Sequence, residues 1–486
     1  MSDPHSPSAP YGALRVGEIS HQLDNGELTS RELVSALIER AEALDHPSSP
    51  TALNSLAAVS GDALDVAARR DEERAAGRVR GALHGVPVVI KDNVEALGLP
   101  GLAGSTALIG RPSREAPLVA RLRDAGAVVL ASTNLSQWAN IRSPRSTSGY
   151  SASGGLVANP WSLDRSAGGS SSGSGAAVAA GLAPLAVGTE TNGSITCPAA
   201  FNGVVGLKPT VGVVPVEFVV PISASQDSPG PMGRSVDDVA RLFAVLSATT
   251  RPPSGGPPRL AAATNWRTGH FETDQLFDEA VAALRAGGVE VVDRELAIPG
   301  VEEFTDELCV LLSELVDDLS NYLAARPGDG VHSLAEVVAY EDANREREQL
   351  HFGHEFFLQA IESGGRRSDA YLAARPRNLQ WATATCLGPA LEGVDAVIAP
   401  SFGPPWKSDF ALGDNSGLAS PVTTPSAIAG WPILSLPMGL VAGLPVGLAI
   451  VGRAHDEWRL IEVAGVLESV FALTSLSPTW RPAGRG

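Results

Sequence analysis

Residues 168–175 read GGSSSGSG, and the reading of this stretch decides the fold. Its glycines and serines have the composition of a flexible linker, because neither residue resists disorder. The flanks oppose that reading. VANPWSLDRSA (157–167) precedes it, and AAVAAGLAPLAVGTETNGSITCPAAFNGVVGLKPT (176–210) follows without a polar break. An Ala-rich helical pattern, GSGAAVAAGLAPLA (173–186), grows straight out of the run. Hydroxyls and glycines set between two segments ready for burial make a structured corner.

Outward from this corner the chain alternates helix and strand patterns. ISHQLDNGELTSRELVSALIERAEAL (19–44) carries apolar residues at helical spacing, with Thr29 as cap and Glu32 completing a capping box. DALDVAARRDEERAAG (62–77) reads as an exposed helix. GVPVVIKDNV (85–94) is a β-branched run ending on Lys91, the pattern of a buried strand with a lysine at its end. APLVARLRDAGAVVLAST (116–133) predicts a helix then a strand, and LAVGTE (185–190) another strand. After the surface connection RPPSGGPP (251–258), residues 259–296 form a further strand–helix–strand unit. Residues 301–386 are acidic and mainly helical, and DAVIAPSFGPP, ILSLPMG and LPVGLAIVG then return strands to the sheet. The pattern is that of an α/β protein. It predicts a loose tail over 1–12 and one large domain over 13–480 with a helical insertion at 301–386.

Composition narrows the partners. Of 486 residues, 44% are hydrophobic and 19% charged, enough for a large core. The formal charge of −18 opposes a nucleic-acid footprint, which needs clustered cations. No apolar run approaches the roughly 20 residues of a membrane span. MSDPHSPSAPYG has neither a basic n-region nor an apolar h-region, so no signal peptide is expected. Cys197, Cys309 and Cys386 match no metal spacing, and so few cysteines suit a reducing compartment. The expectation is a cytoplasmic globular protein.

Gly169-Ser170-Ser171-Ser172-Gly173 also fits G-x-S-x-G, the nucleophile elbow of α/β-hydrolases. Any Gly/Ser-rich stretch produces that pattern. His455 with Asp456 could complete a triad, but no HGGG-type oxyanion loop exists.

Taken whole, residues 168–234 resemble the defining block of the amidase signature family. GVPVVIKDNV upstream, PISASQDSPGPMGRSVDDVARL and GLPVGLAIVGR downstream also have its form. The resemblance covers roughly 13–250 and 390–470. GTETNGSITCPAAFNG and TNLSQWANIRSPRSTSGYSASGG look most like its peptide amidase branch. The resemblance implies a central mixed twisted sheet covered by helices on both faces. It also implies amide hydrolysis through an acyl-enzyme, with no cofactor and no metal. Its Ser–Ser–Lys triad falls on Lys91, on Ser170 following a cis peptide bond, and on Ser194 as nucleophile, at the family's separation. Its oxyanion hole falls on the backbone N–H groups of Thr191, Asn192, Gly193 and Ser194.

The chemistry suits these residues. A serine hydroxyl must lose its proton as it attacks, and no histidine lies in the block. A lysine serves as base if it is neutral, and burial disfavours its charged form. Taken singly, Lys91 reads more often as a strand-end lysine reaching solvent, and Ser194 more often as a cap for ITCPAAF; the catalytic reading rests on the set together at the family's spacing. Cys197 reads as packed core and His84, His455 and the other histidines as structural or exposed; Trp381, Trp406 and Trp431 could line a pocket, with core packing the simpler reading for each.

Departures from the family concern the surroundings. Thr196 stands where arginine is frequent and Glu190 where aspartate is, which is expected to leave Asp227 without its usual partner. Asn192 replaces a glycine or aspartate beside the scissile carbonyl, so substrate preference is expected to shift there. The partner expected is a small-molecule, aryl or C-terminal peptide amide, with a homodimer left open. The alternative function is the amidase component of a glutamine-dependent tRNA amidotransferase, which needs partner subunits. A catalytically silent binding protein is disfavoured by retention of Lys91, Ser170 and Ser194.

Overall fold

The computed structural model describes residues 11–49, 51–110, 113–471 and 476–482. The expected tail lies, over 1–10, outside the described residues, and Tyr11 packs partly buried against the core.

Among the described residues, fifteen strands follow in chain order. The first three are β1 (Leu56–Val59), β2 (Pro87–Lys91) and β3 (Val128–Thr133). β4 (Tyr150–Ser151), β5 (Gly155–Leu156), β6 (Ala158–Asn159) and β7 (Ser162–Ser166) form two small ribbons, β4 with β5 and β6 with β7. Next come β8 (Leu185–Glu190), β9 (Val205–Lys208), β10 (Ser228–Gly233), β11 (Arg259–Ala263) and β12 (Glu290–Arg294). β13 (Ala396–Pro400), β14 (Ile433–Val441) and β15 (Leu444–Val451) complete the set. One 11-stranded sheet runs β1-β3-β2-β8-β10-β9-β14-β15-β13-β11-β12. The sheet is mixed. β3, β2 and β8 are mutually parallel, as are β13, β11 and β12, while the strands between pair antiparallel.

Sequence explains the middle of this sheet. PVVIK, VVLAST, LAVGTE and LPVGLAIV are buried at every residue because helices cover both faces, so polar alternation is absent. The capping box predicted at Thr29 and Glu32 opens the helix Ser30–Leu44, with Thr29 accepting from the Glu32 amide. The helix predicted over 62–77 spans Ala63–Ala75 and is amphipathic rather than fully exposed, burying Val66, Ala67 and Arg70. The strand–helix–strand unit at 259–294 and the returning strands β13–β15 join the same sheet.

The region 301–386 is helical, led by Val301–Ala325. It shares a core with the rest of the molecule: Leu312, Leu315, Leu319 and Phe357 pack in one cluster with Ala103, Leu108, Trp138 and Val220. That shared apolar core makes the insertion part of a single α/β domain. Among the described residues no helix is long and apolar enough to cross a membrane.

Candidate active site

The serine-rich corner sits where β2 and β8 end side by side. β2 delivers Lys91 to that point with 0% exposure, so the lysine does not reach solvent. Its Nζ lies 2.6 Å from Ser170 Oγ, 2.8 Å from Thr189 Oγ1 and 3.1 Å from the Thr189 carbonyl. Asn93 Nδ2 donates to the same Thr189 hydroxyl at 3.0 Å. Burial lowers the amine from 10.5 to about 7, against the opposing pull of the Asp227 and Glu190 carboxylates. A neutral amine has two N–H groups and one lone pair. Thr189 can take both hydrogens, which leaves the lone pair for the Ser170 hydroxyl to donate into.

The hydroxyls beside Ser170 serve the backbone. Ser171 Oγ donates to the Thr189 carbonyl and accepts from the Thr189 amide. Ser172 Oγ donates to the carbonyls of Gly168 and Gly169, and Ser174 Oγ to that of Val187. Ser172 then opens the helix Ser172–Ala180. The run is thus rigidly bonded, unlike a linker. A Cβ at Gly169 would lie 2.5 Å from Pro198 Cδ and 3.1 Å from Ser194 Cα, so only glycine lets the two segments meet.

One expectation is corrected. No cis peptide bond occurs among the described residues, so Ser170 follows a trans bond. The corner is turned instead by Gly168 and Gly169, both left-handed at φ 78° and 51°. Ser170 Oγ nevertheless meets Lys91.

Ser194 stands on the turn between β8 and the short helix Thr196–Asn202. It does not cap that helix; Ile195 holds the cap position and makes no side-chain cap bond. Ser194 is half-buried, and its Oγ bonds to no described residue, Ser170 included. The two segments touch through backbone, the Ser171 amide donating to the Ser194 carbonyl at 3.1 Å. Lys91 and Ser170 are therefore brought together, and Ser194 faces the cleft beside them.

Gly193, at φ 82°, tightens this turn. Among the described residues, the amides of Thr191, Asn192, Gly193 and Ser194 have no internal acceptor. All four residues line one cleft. Four consecutive amides without an internal acceptor, in residues that line one cleft, are the kind of group that can receive negative charge.

Acidic groups that the sequence left in doubt hold the turn. Glu190 Oε2 accepts from the amides of Ile195 at 2.7 Å and Thr196 at 2.8 Å, and from the Thr196 hydroxyl at 3.1 Å. Asp227 is not left without partners: it accepts from Thr191 Oγ1 at 2.6 Å and from the amides of Ile222 and Ser223. Burial raises its carboxyl to about 6. The longer Glu190 reaches across the turn and occupies Thr196, so Asp227 is free to take the backbone and Thr191 instead.

The cleft holds about 750 Å³. Its apolar wall includes Ile298, Pro299, Phe304, Leu311 and Phe356, and Trp406 and Phe402 close another side. Residues in and just before the unmotifed 301–386 region thus reach the turn that carries Ser194. No spacing in the sequence signals this. Buried Cys197 also lines the cleft, with burial pushing its thiol well up. Trp381 and Trp431 pack in a separate core, and His84, His455 and Asp456 do not line the cleft. Among the described residues lining it, none is Lys, Arg or His, and Asp414 is its one carboxylate. No cluster of metal-ligating side chains occurs among the described residues.

The family model for Amidase matches residues 32–461. The native peptide amidase of Stenotrophomonas maltophilia superposes with a TM-score of 0.89 at 39% identity, over 95% of this chain and 98% of that one. An amidase family protein from Bacillus anthracis superposes at 0.84 with 28% identity, over 96% and 92%. A glutamyl-tRNA(Gln) amidotransferase component from Symbiobacterium thermophilum is 33% identical over 92% of this chain and 94% of its own. A match that spans both the sheet and the serine corner leaves one conclusion: this chain belongs to the amidase signature family and is a hydrolase acting on amides.

Proposed function

We propose that this enzyme hydrolyses the C–N bond of a small-molecule, aryl or C-terminal peptide amide, releasing carboxylate and ammonia or amine, with Ser194 as nucleophile. The observation that carries the reading is the buried Lys91 amine, titrating at about 7 and lying 2.6 Å from Ser170 Oγ. Rotation of the unbonded Ser194 side chain toward Ser170 completes a relay, as catalytic contacts often tighten only with substrate bound.

Ser194 Oγ attacks the carbonyl carbon as its proton passes to Ser170 and the Ser170 proton passes to neutral Lys91. The carbonyl oxygen takes the negative charge and rests on the amides of Thr191, Asn192, Gly193 and Ser194. Such donors supply about 2.7–4 kcal/mol each when well placed. Collapse breaks the C–N bond, and the departing amine receives the proton back through Ser170. Water then attacks the Ser194 ester by the same relay, and carboxylate leaves.

The amidotransferase reading is weaker. Free glutamine carries an α-carboxylate, and the described cleft lining offers it no cation. An uncharged amide terminus suits these walls better. The purified chain, incubated alone with simple primary amides, should release ammonia, and Ser194→Ala should abolish that release with the fold intact. Dependence on glutamine, tRNA and added subunits would favour the other reading. Residual Ser194→Ala activity above a few per cent of wild type would reassign the nucleophile.

A further inference from the structure

Asn192 lies two residues before Ser194 and lines the cleft. Its Nδ2 donates to Glu307 Oε1 at 2.8 Å, with Thr424 Oγ1 at 3.4 Å. Gln226 Nε2 donates to the same Glu307 oxygen at 3.0 Å. Glu307 is buried on the helix Val301–Ala325. A carboxylate accepts hydrogen bonds and donates none. Burial pushes the Glu307 carboxyl up while the Gln226 and Asn192 donors hold it down, and as the acceptor of both it takes the nitrogen of Asn192, so that Oδ1 faces away. That oxygen has no donor among the described residues.

The cleft thus presents four free backbone donors and one free side-chain acceptor within a four-residue turn. A carboxamide carries the complementary pair, an acceptor oxygen and N–H donors on one carbon. We infer that Asn192 Oδ1 accepts an N–H of the substrate's carboxamide group and is the residue that selects a nitrogen bearing hydrogen over an ester oxygen of the same shape. The inference rests on the amidase reading above and adds to it the group that recognises the scissile nitrogen.

An ester places lone pairs where the amide has a hydrogen, so Oδ1 would face a second acceptor. Sites built to bond a donor discriminate strongly against analogues lacking it, because a polar group is left unpaired. Glu307 touches no substrate in this scheme. It is a positioning residue acting through Asn192, and Gln226 fixes the carboxylate that does so. This gives the helical insertion a defined part in selectivity: one carboxylate dictates which end of one amide faces the reaction.

The test compares kcat/KM for N-acetylphenylalaninamide and for the methyl ester of N-acetylphenylalanine. It uses the full chain as wild type, Asn192→Ala and Glu307→Gln. In Asn192→Ala the amide-to-ester ratio of kcat/KM should fall at least tenfold. Glu307→Gln keeps volume and packing but can offer Asn192 either an oxygen or an NH2, so the amide is free to turn over and the ratio should fall partway. A purely structural role for Glu307 would scale both substrates alike. A ratio within threefold of wild type in both variants, with both substrates turned over, overturns the inference and leaves the amidase reading standing. Folded wild-type enzyme that releases ammonia neither from N-acetylphenylalaninamide nor from any of the simple primary amides above overturns both.

Discussion

Acidification should extinguish turnover through one group. With its amine at about 7, Lys91 is neutral in half of the molecules at pH 7, about 90% at pH 8 and about 1% at pH 5. A lysine left at 10.5 would be neutral in only about 0.03% of molecules at pH 7, so burial raises the competent fraction by about three orders of magnitude. The assay is kcat/KM for ammonia release from a primary amide between pH 5 and 9. Its logarithm should rise with unit slope to an inflection near 7 and then level. Asp227 helps to keep the amine charged, so Asp227→Asn should move that inflection to lower pH. The same group sets a stability trade. Its folded pKa lies below its unfolded value, so the unfolded chain holds the extra proton between about 7 and 10.5. Stability from this group therefore rises with pH across that window, and below 7 the full cost applies, about 5 kcal/mol as an upper figure. Lys91→Met should accordingly be inactive yet more stable than wild type at pH 6, read by urea unfolding. A rate profile flat down to pH 5, an inflection unmoved in Asp227→Asn, or a less stable Lys91→Met would each refute the argument.

Two further outcomes concern the turn itself. Gly169→Ala forces a left-handed alanine and a Cβ 2.5 Å from Pro198 Cδ, so unfolding free energy should drop by about 2–3 kcal/mol and activity with it; unchanged denaturant midpoint and rate would count against the close approach. Glu190→Ala leaves the buried Ile195 and Thr196 amides without an acceptor, at about 1–3 kcal/mol each. Thermal unfolding should shift downward and kcat should fall more than KM changes, whereas a kcat equal to wild type would show that the turn holds its shape without Glu190.

Much of the site was legible because its chemistry is local in sequence. The strand Pro87–Lys91 was legible as buried from its apolar run, whereas the inward turn of the Lys91 amine was not, since a lysine at a strand end reaches solvent as readily. The glycines at 168, 169 and 193 announced tight turns, and left-handed φ values occur at all three. The bond geometry before Ser170 was not legible. Two adjacent glycines admit several corners, and the one found here turns through φ with a trans peptide.

Short-range order, such as the apolar periodicity of the strands and the capping box at Thr29 and Glu32, was determined by the sequence alone, since neighbouring residues restrict one another whatever the rest of the chain does. Tertiary structure decided what distant residues do to the serine corner. Glu307 orients Asn192 across 115 positions, Asp227 accepts from Thr191 across 36, and Phe304 and Phe356 wall the cleft. Periodicity carries no record of such pairings. A buried carboxylate finds whichever donors the packed helices bring to it, and only the closed core sets which those are.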